Sequence, residues 1–204
     1  MAFARGALPR PPARVLEVGA GRGELAAVLR DDGWDVRAID PKAEDPGVEP
    51  VALAELEAPP GSFDAVLAVV SLHHVEPLEE SVAVLAATVR PGGALVVDEI
   101  DVARLDERAA AWWLERQVDV GKGEGHRFGD DPASLVAGMR EHVHDLDTVR
   151  AALARWFDFG AVERLPYLHR WHLPPGFRDA EVALIEAGEL SPMGARFIGV
   201  RRAD

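Results

Sequence analysis

Glu17, Asp40 and the glycines at 19, 21 and 23 are the residues of this chain whose types and spacing suit holding a ligand. The glycines separate a short apolar run, Val15 to Val18, that reads as a buried strand from a helical run beginning at Glu24. In that run Leu25, Val28 and Leu29 share one face. Glycine at such a junction lets the chain turn tightly and brings bare backbone against a ligand. The helix behind it aims unpaired N–H groups and the positive end of its dipole at whatever the loop holds. Asp40 ends a second strand, Val36 to Ile39, roughly twenty residues beyond Gly19, where a carboxylate can accept both hydroxyls of a ribose. Strand, glycine loop, helix and distal acid together predict a nucleotide-type site.

Glycine loops of this kind serve several cofactors, so the spacing matters. The dinucleotide fingerprint is G-x-G-x-x-G; here the third glycine comes one position early, and Glu24 stands where it would be. An acid, Glu17, lies two residues before the first glycine, inside the strand end. Glu17-x-Gly19-x-Gly21-x-Gly23 resembles the first motif of the class I methyltransferases that use S-adenosylmethionine. In that family the acid bonds the amino group of the methionine moiety, directly or through water. Two later segments extend the resemblance. Residues 62–75, ending Ser71-Leu72-His73-His74-Val75, look like the family's fourth strand, and Val89 to Val97 like its Pro-Gly-Gly turn into the fifth. Both also make sense unaided. Phe63 to Val70 is nearly continuous in apolar residues, as a parallel strand buried on both faces requires. Pro91-Gly92-Gly93 stops a helix running from about Leu78 to Val89 and releases the chain into another buried strand. The resemblance covers residues 13–100; beyond them it rests on topology.

What the resemblance implies is an α/β protein with a Rossmann-like seven-stranded sheet. The sheet is mostly parallel, the last strand runs antiparallel between the fifth and sixth, and helices lie on both faces. The second half supplies the remaining elements: a long helix from Asp101 to Val120, a short one near Ser134 to Arg140, and a helix from Thr148 to Phe157 with Asp147 as its N-cap. Ala161 to Tyr167 reads as the sixth strand, Asp179 to Ala187 as a helix, and Ala195 to Arg201 as the last strand. The chain is expected to form one domain over residues 1–204. Residues 121–147, too long for an ordinary connection and opened by three glycines, are expected to form a lid on the substrate side.

By the same resemblance, S-adenosylmethionine would contact Glu17, Gly19, Ala20, Gly21, Gly23, Asp40, Pro41, Leu53, Val69 and Val70. Family members often carry an acid after the third strand that bonds the adenine amino group. That position aligns with Ala52, followed by Leu53, so either backbone reads the adenine edge or Glu55 reaches it from a shifted register. Few residues precede the first strand, so the helix that usually closes over the cofactor is expected to be short or absent.

Composition bounds the rest. At 204 residues and 48% hydrophobic, the chain can bury a sizeable core without disulfides or metal. The absence of cysteine excludes a cysteine nucleophile and a cysteine-held iron–sulfur cluster. A formal net charge of −13 repels phosphate backbones and makes nucleic acid a poor substrate. No apolar run has the length of a membrane span and the amino terminus lacks a signal-peptide core, so a cytoplasmic protein is the default. An oligomer is compatible with the sequence. His142-x-His144-Asp145 contains metal-ligand types, but with no third histidine nearby a structural or substrate-facing role is favoured, and no metal is expected.

Methyl transfer needs a lone-pair nucleophile in line with the methyl group, and a hydroxyl or protonated amine acceptor also needs a base. His73 and His74, just past the fourth strand, are the catalytic candidates, with the base role given to His74. The expected function is therefore S-adenosylmethionine-dependent methylation of oxygen or nitrogen on a small-molecule acceptor. The alternative is a catalytically silent protein that binds S-adenosylmethionine or S-adenosylhomocysteine for regulation. A dehydrogenase is disfavoured by the glycine spacing and by the lack of a Tyr-x-x-x-Lys pair.

Overall fold

In the computed structural model β1 (Arg14–Val18) takes β2 (Asp35–Ile39) on one side and β3 (Phe63–Val69) on the other, both parallel to it. β4 (Val89–Ile100) follows, parallel to β3. Beyond it come β7 (Gly194–Arg201) and β5 (Phe157–Phe159), paired antiparallel, while β6 (Glu163–Leu165) also pairs with β7. The sheet order is β2-β1-β3-β4-β7-β5, so the last strand does run between the fifth and sixth positions of the expected sheet. The structure describes residues 2–117 and 129–203, which group into two units. Unit 1 takes residues up to 99, 147–162 and from 196 onward; unit 2 takes 100–146 and 163–195.

Unit 1 contains the parallel core. On one face α1 (Ala2–Ala7) contributes Ala4, and α2 (Glu24–Asp31) contributes Ala26 and Leu29. They pack with Val15, Val36, Ala38, Ala65, Leu67 and Val96. The strand residues of opposite parity, Leu16, Val66, Leu95 and Val97, are equally buried, so the second face is covered too. α3 (Leu78–Thr88) buries Val82, Leu85 and Ala86, and the Arg201 guanidinium of β7 donates to the Ala86 carbonyl at 2.9 Å. Each fully buried leucine here is worth about 1.5–3 kcal/mol.

α3 ends at Thr88, before Pro91 removes a backbone donor. The Pro-Gly-Gly segment is absorbed as an excursion of β4: Phe63 faces Val89 while Ala65 already faces Ala94. At the sheet's other edge, the connection after β2 makes one isolated parallel bridge, Ile39 with Glu49, and then a 3-10 turn, Leu53–Glu55.

Several expected boundaries are corrected. The helix expected from Thr148 to Phe157 is α6 (Leu146–Leu153), which places Asp147 in its first turn rather than at the N-cap. Phe157 instead opens β5, the partner of β7, and Phe159 packs edge-on against Phe197 at 5.4 Å. Aromatic residues two apart bury on a strand more readily than at a helix end, a tertiary preference that overrides local pattern. The strand expected over 161–167 shrinks to β6.

Unit 2 holds α4 (Glu107–Arg116), α5 (Pro132–His142) and α7 (Arg178–Glu186). The long helix expected from Asp101 begins only at Glu107, because Asp101 and Asp106 each cap a separate element. Asp101 accepts from Ala103 N–H ahead of a 3-10 turn, and Asp106 from Ala109 N–H at 2.8 Å. Its expected end, 118–120, lies outside the described residues. Trp113 is fully buried, stacked on Trp171 at 4.2 Å, and donates to the Trp171 carbonyl at 2.7 Å. Of the expected lid, 121–128 lies outside the described residues; α5, capped by Asp131, occupies much of the rest. Among the described residues no helix is long and apolar enough to cross a membrane, and no three metal-ligating side chains gather. His142 bonds the Gly138 carbonyl through Nδ1 at 2.8 Å.

Candidate functional site

The glycine loop leaves β1 in left-handed backbone: φ is +71° at Gly19, +54° at Gly21 and +73° at Gly23. The N–H groups of Gly19 and Ala20 both donate to the Ile39 carbonyl, at 2.9 and 3.0 Å, which clamps the loop to the end of β2. The glycines do different jobs. A Cβ on Gly19 would sit 2.3 Å from the Ser71 Cβ, and one on Gly23 would sit 2.7 Å from a Val48 methyl. Both therefore serve close packing within the protein. Of the three, Gly21 alone has open space where a Cβ would stand, so the loop leaves room beside it. Gly23 is the N-cap of α2 and offers no side-chain acceptor, so the first N–H groups of that helix are not capped by a side chain.

Beside the loop lies a cleft of about 570 Å³, lined by Glu17, Gly19, Ala20, Arg22, Glu24, Leu25, Val28 and Val69. That size suits a cofactor-like ligand. Glu17 is the penultimate residue of β1 and is only 3% exposed. Its Oε2 is buried and makes no hydrogen bond. Burial pushes the Glu17 carboxyl up to about 7, an effect partly offset by the positive charge of Arg30. A buried carboxylate oxygen with no donor, beside a cleft, suits a cationic donor from a ligand.

Asp40 lies at the end of β2. Its Oδ2 accepts from Gly21 N–H at 3.0 Å and its Oδ1 from Lys42 N–H at 2.8 Å. The acid expected to meet a ribose is thus also the tether of the loop's exposed corner. A carboxylate has about four acceptor directions, so two bonds leave it capacity for more. Pro41 follows, exposed. Leu53 is buried within the 3-10 turn, whereas Ala52 is half-buried and Glu55 exposed.

The far wall is the end of β3. Val69 lines the cleft, and Val70 has φ +53°, a conformation rare for a β-branched residue and found where surrounding structure enforces it. What enforces it is visible. Val70 N–H donates to the Asp98 carbonyl at 2.8 Å, and the next two N–H groups, of Ser71 and Leu72, donate to Glu99 Oε1 at 2.7 and 2.6 Å. His73 Nδ1 lies 2.7 Å from Glu99 Oε2. His73 and Glu99 are buried; His74 is exposed, and its ring centre lies 4.1 Å from that of His73.

Glu17, Gly19, Ala20 and Val69 are thus on one cleft, with Gly21 and Asp40 bonded at the loop corner and His73 and His74 on the turn after β3. Sequence reasoning missed Glu99 and the cleft faces of Arg22, Glu24, Leu25 and Val28. A signal existed for the first: Asp98-Glu99 are two acids inside a strand otherwise read as buried. Leu25 and Val28 were grouped with Leu29 on one helical face, yet Leu29 is fully buried while they are half-exposed toward the cleft.

Comparison with known proteins agrees with this geometry. A family model described as a methyltransferase domain matches residues 2–158. The malonyl-[acyl-carrier protein] O-methyltransferase of Enterobacter lignolyticus is 30% identical over 140 residues, 63% of this chain and 54% of that protein. The ubiquinone biosynthesis O-methyltransferase of Xylella fastidiosa is 30% identical over 163 residues, 70% of this chain and 66% of that protein. The chain spans about half the length of the curated relatives it matches. A crystal structure of an S-adenosylmethionine-dependent methyltransferase from Mesorhizobium loti shares the fold, with a TM-score of 0.61 at 20% identity, covering 97% of this chain and 95% of that one. The motif order, the sheet order and the family match agree, and this chain belongs to the class I S-adenosylmethionine-dependent methyltransferase family.

Proposed function

We propose that this chain transfers a methyl group from S-adenosylmethionine to oxygen or nitrogen of a small-molecule acceptor. The observation that carries this reading is the buried, unpartnered Oε2 of Glu17 beside the glycine loop. It matches the ammonium of an amino-acid moiety in charge and in hydrogen-bonding sense. The N-terminus of α2, which no side chain caps, suits the carboxylate of the same moiety, and Gly21 puts no side chain in the way. Asp40 keeps acceptor capacity for ribose hydroxyls, Pro41 borders it, and the backbone at Ala52–Leu53 is the proposed reader of the adenine edge. Val69 and Val70 supply the wall opposite the loop.

S-adenosylmethionine, when bound, supplies an electrophilic methyl group on a positively charged sulfur. The chain's own share is orientation, exclusion of water and, for a hydroxyl acceptor, a proton acceptor. Of the two candidate histidines, His73 is the better supported for that role, because Glu99 fixes its ring; His74 lies exposed beside it. A carboxylate acceptor needs no base, so the acceptor class decides whether His73 is used.

Calorimetric titration with S-adenosylhomocysteine and with NAD tests the cofactor half of this reading; binding of NAD instead of S-adenosylhomocysteine would defeat it. Radiolabelled methyl transfer to menadiol (a hydroxyl probe) and to a malonyl thioester (a carboxylate probe) tests the other half. Tight cofactor binding without transfer to any member of a broader acceptor panel would leave a silent binding protein. Within the site, Asp40→Ala is expected to weaken S-adenosylhomocysteine by about 1.5–3 kcal/mol, since it removes charge-assisted bonds and the loop tether together. A folded Asp40→Ala protein with unchanged affinity would remove Asp40 from the site.

A further inference from the structure

Two charged side chains of the cleft, Arg22 and Glu24, have no part in holding the cofactor as proposed. They stand on either side of Gly23, both line the cleft and both are exposed. Among the described residues neither has an ion-pair partner. Glu24 is the first residue of α2 and the acid of its first turn. A carboxylate there offsets the positive end of the helix dipole, which otherwise favours a phosphate or pyrophosphate. In sequence it takes the position that the dinucleotide fingerprint gives to glycine.

The charges lining the cleft decide which ligand charge it favours. With Glu17 ionised in the complex, Glu17 and Glu24 outweigh Arg22 by one negative charge. S-adenosylmethionine carries a carboxylate, an ammonium and a sulfonium, so one positive charge is in excess. S-adenosylhomocysteine lacks the sulfonium charge and is neutral overall; NAD is an anion.

We propose that Glu24 is a specificity-determining residue: it makes the cleft select a cationic cofactor, favouring the sulfonium form over the neutral product and opposing dinucleotides. This rests on the cofactor reading given above. The helix N–H donors remain for a single carboxylate, with Arg22 to balance its charge, whereas a pyrophosphate would bring more negative charge than Arg22 offsets. The product, without the sulfonium charge, is held less tightly than the cofactor it came from.

The size of the effect follows from the size of the cleft. At about 570 Å³ it is roughly 8 Å across, well inside the Debye length of about 30 Å at 10 mM salt. At that range one unit charge changes the affinity for another by about 2-fold in the dielectric of water and about 30-fold in that of a protein surface. For the exposed Glu24 we expect about 3–10-fold.

Calorimetry at pH 7.5 in about 10 mM salt, without acceptor so that no transfer occurs, compares S-adenosylmethionine with S-adenosylhomocysteine. Contacts common to the two ligands cancel in the ratio of their dissociation constants. In Glu24→Gln, which keeps the size and polarity of the side chain, the preference for S-adenosylmethionine should fall about 3–10-fold. Arg22→Gln should raise it by a similar factor. Glu80→Gln removes the same net charge at an exposed position of α3 outside the cleft and should leave the ratio unchanged. Near 1 M salt, where the Debye length is about 3 Å, the native and Glu24→Gln ratios should converge. A native ratio in a Glu24→Gln protein that still binds S-adenosylhomocysteine overturns the inference. So does an equal change in Glu80→Gln, which would make the effect one of overall charge, or a Glu24→Gln protein that loses both ligands alike. Failure of the native protein to bind either ligand is a different result, and defeats the cofactor reading on which the inference stands.

Discussion

Gly19→Ala is expected to destabilise the protein by about 2–5 kcal/mol, the sum of overpacking and an unfavourable backbone conformation. The added Cβ would fall 2.3 Å from the Ser71 Cβ and 3.1 Å from its Oγ, at φ +71°. Ser71 cannot step aside cheaply, because its own N–H is tied to the buried Glu99. Gly21→Ala is the matched control: φ is +54°, but nothing lies within 4 Å of its Cβ. It should cost only the conformational penalty, about 1–2 kcal/mol. Urea unfolding of the two variants measures the difference. Equal losses would mean that the approach of the loop to the turn after β3 is looser than described.

Glu17 gives the second large effect, through pH. Its carboxyl is raised from about 4.5 to about 7, first by burial, with Arg30 opposing. A raised acid is held better by the folded state when protonated. Glu17 therefore imposes no penalty below the unfolded value near 4.5. The penalty grows as pH rises toward 7 and is constant above, reaching about 3 kcal/mol. Glu17→Gln should remove that loss, making the ligand-free variant more stable than the native protein at pH 8 and not at pH 4.5. Cofactor affinity should move the other way. Binding an ammonium requires the ionised acid, so S-adenosylhomocysteine should bind more tightly as pH rises to about 7 and level off above it. In Glu17→Gln that pH dependence should vanish along with most of the affinity. Chemical unfolding and calorimetry at pH 4.5, 6 and 8 report both quantities. Native and variant profiles that run parallel across this range would show that Glu17 keeps an ordinary pKa and does not meet the ligand's charge.

Both effects share a physical origin. The proposed cofactor site is built from groups that the free protein holds at some disadvantage: a buried acid oxygen without a donor, a valine in left-handed backbone, glycines pressed against side chains. Such features persist only where a packed scaffold enforces them. Here the scaffold is the parallel core, whose strands end together at Glu17, Asp40, Val69 and Glu99.

Much of this was legible in the residues alone. The order of strand, glycine loop, helix and distal acid follows from local rules. Apolar runs of a given length bury as strands, glycine permits positive φ, and Pro91 ends a helix whatever lies around it. The parallel strands β1 to β4 and the glycine loop between β1 and α2 were accordingly placed by sequence. Tertiary structure decided what local pattern leaves degenerate. Phe157 opens a strand rather than ending a helix because β7 offered it a partner, and two aspartates split the helix expected from Asp101. The three glycines look alike in sequence, yet two answer to Ser71 and Val48, far along the chain, and only Gly21 has open space beside it. Glu99 reads as an acid in a buried strand; only folding brings it to Ser71, Leu72 and His73, because hydrogen bonds between residues more than twenty apart depend on strand register rather than on local sequence.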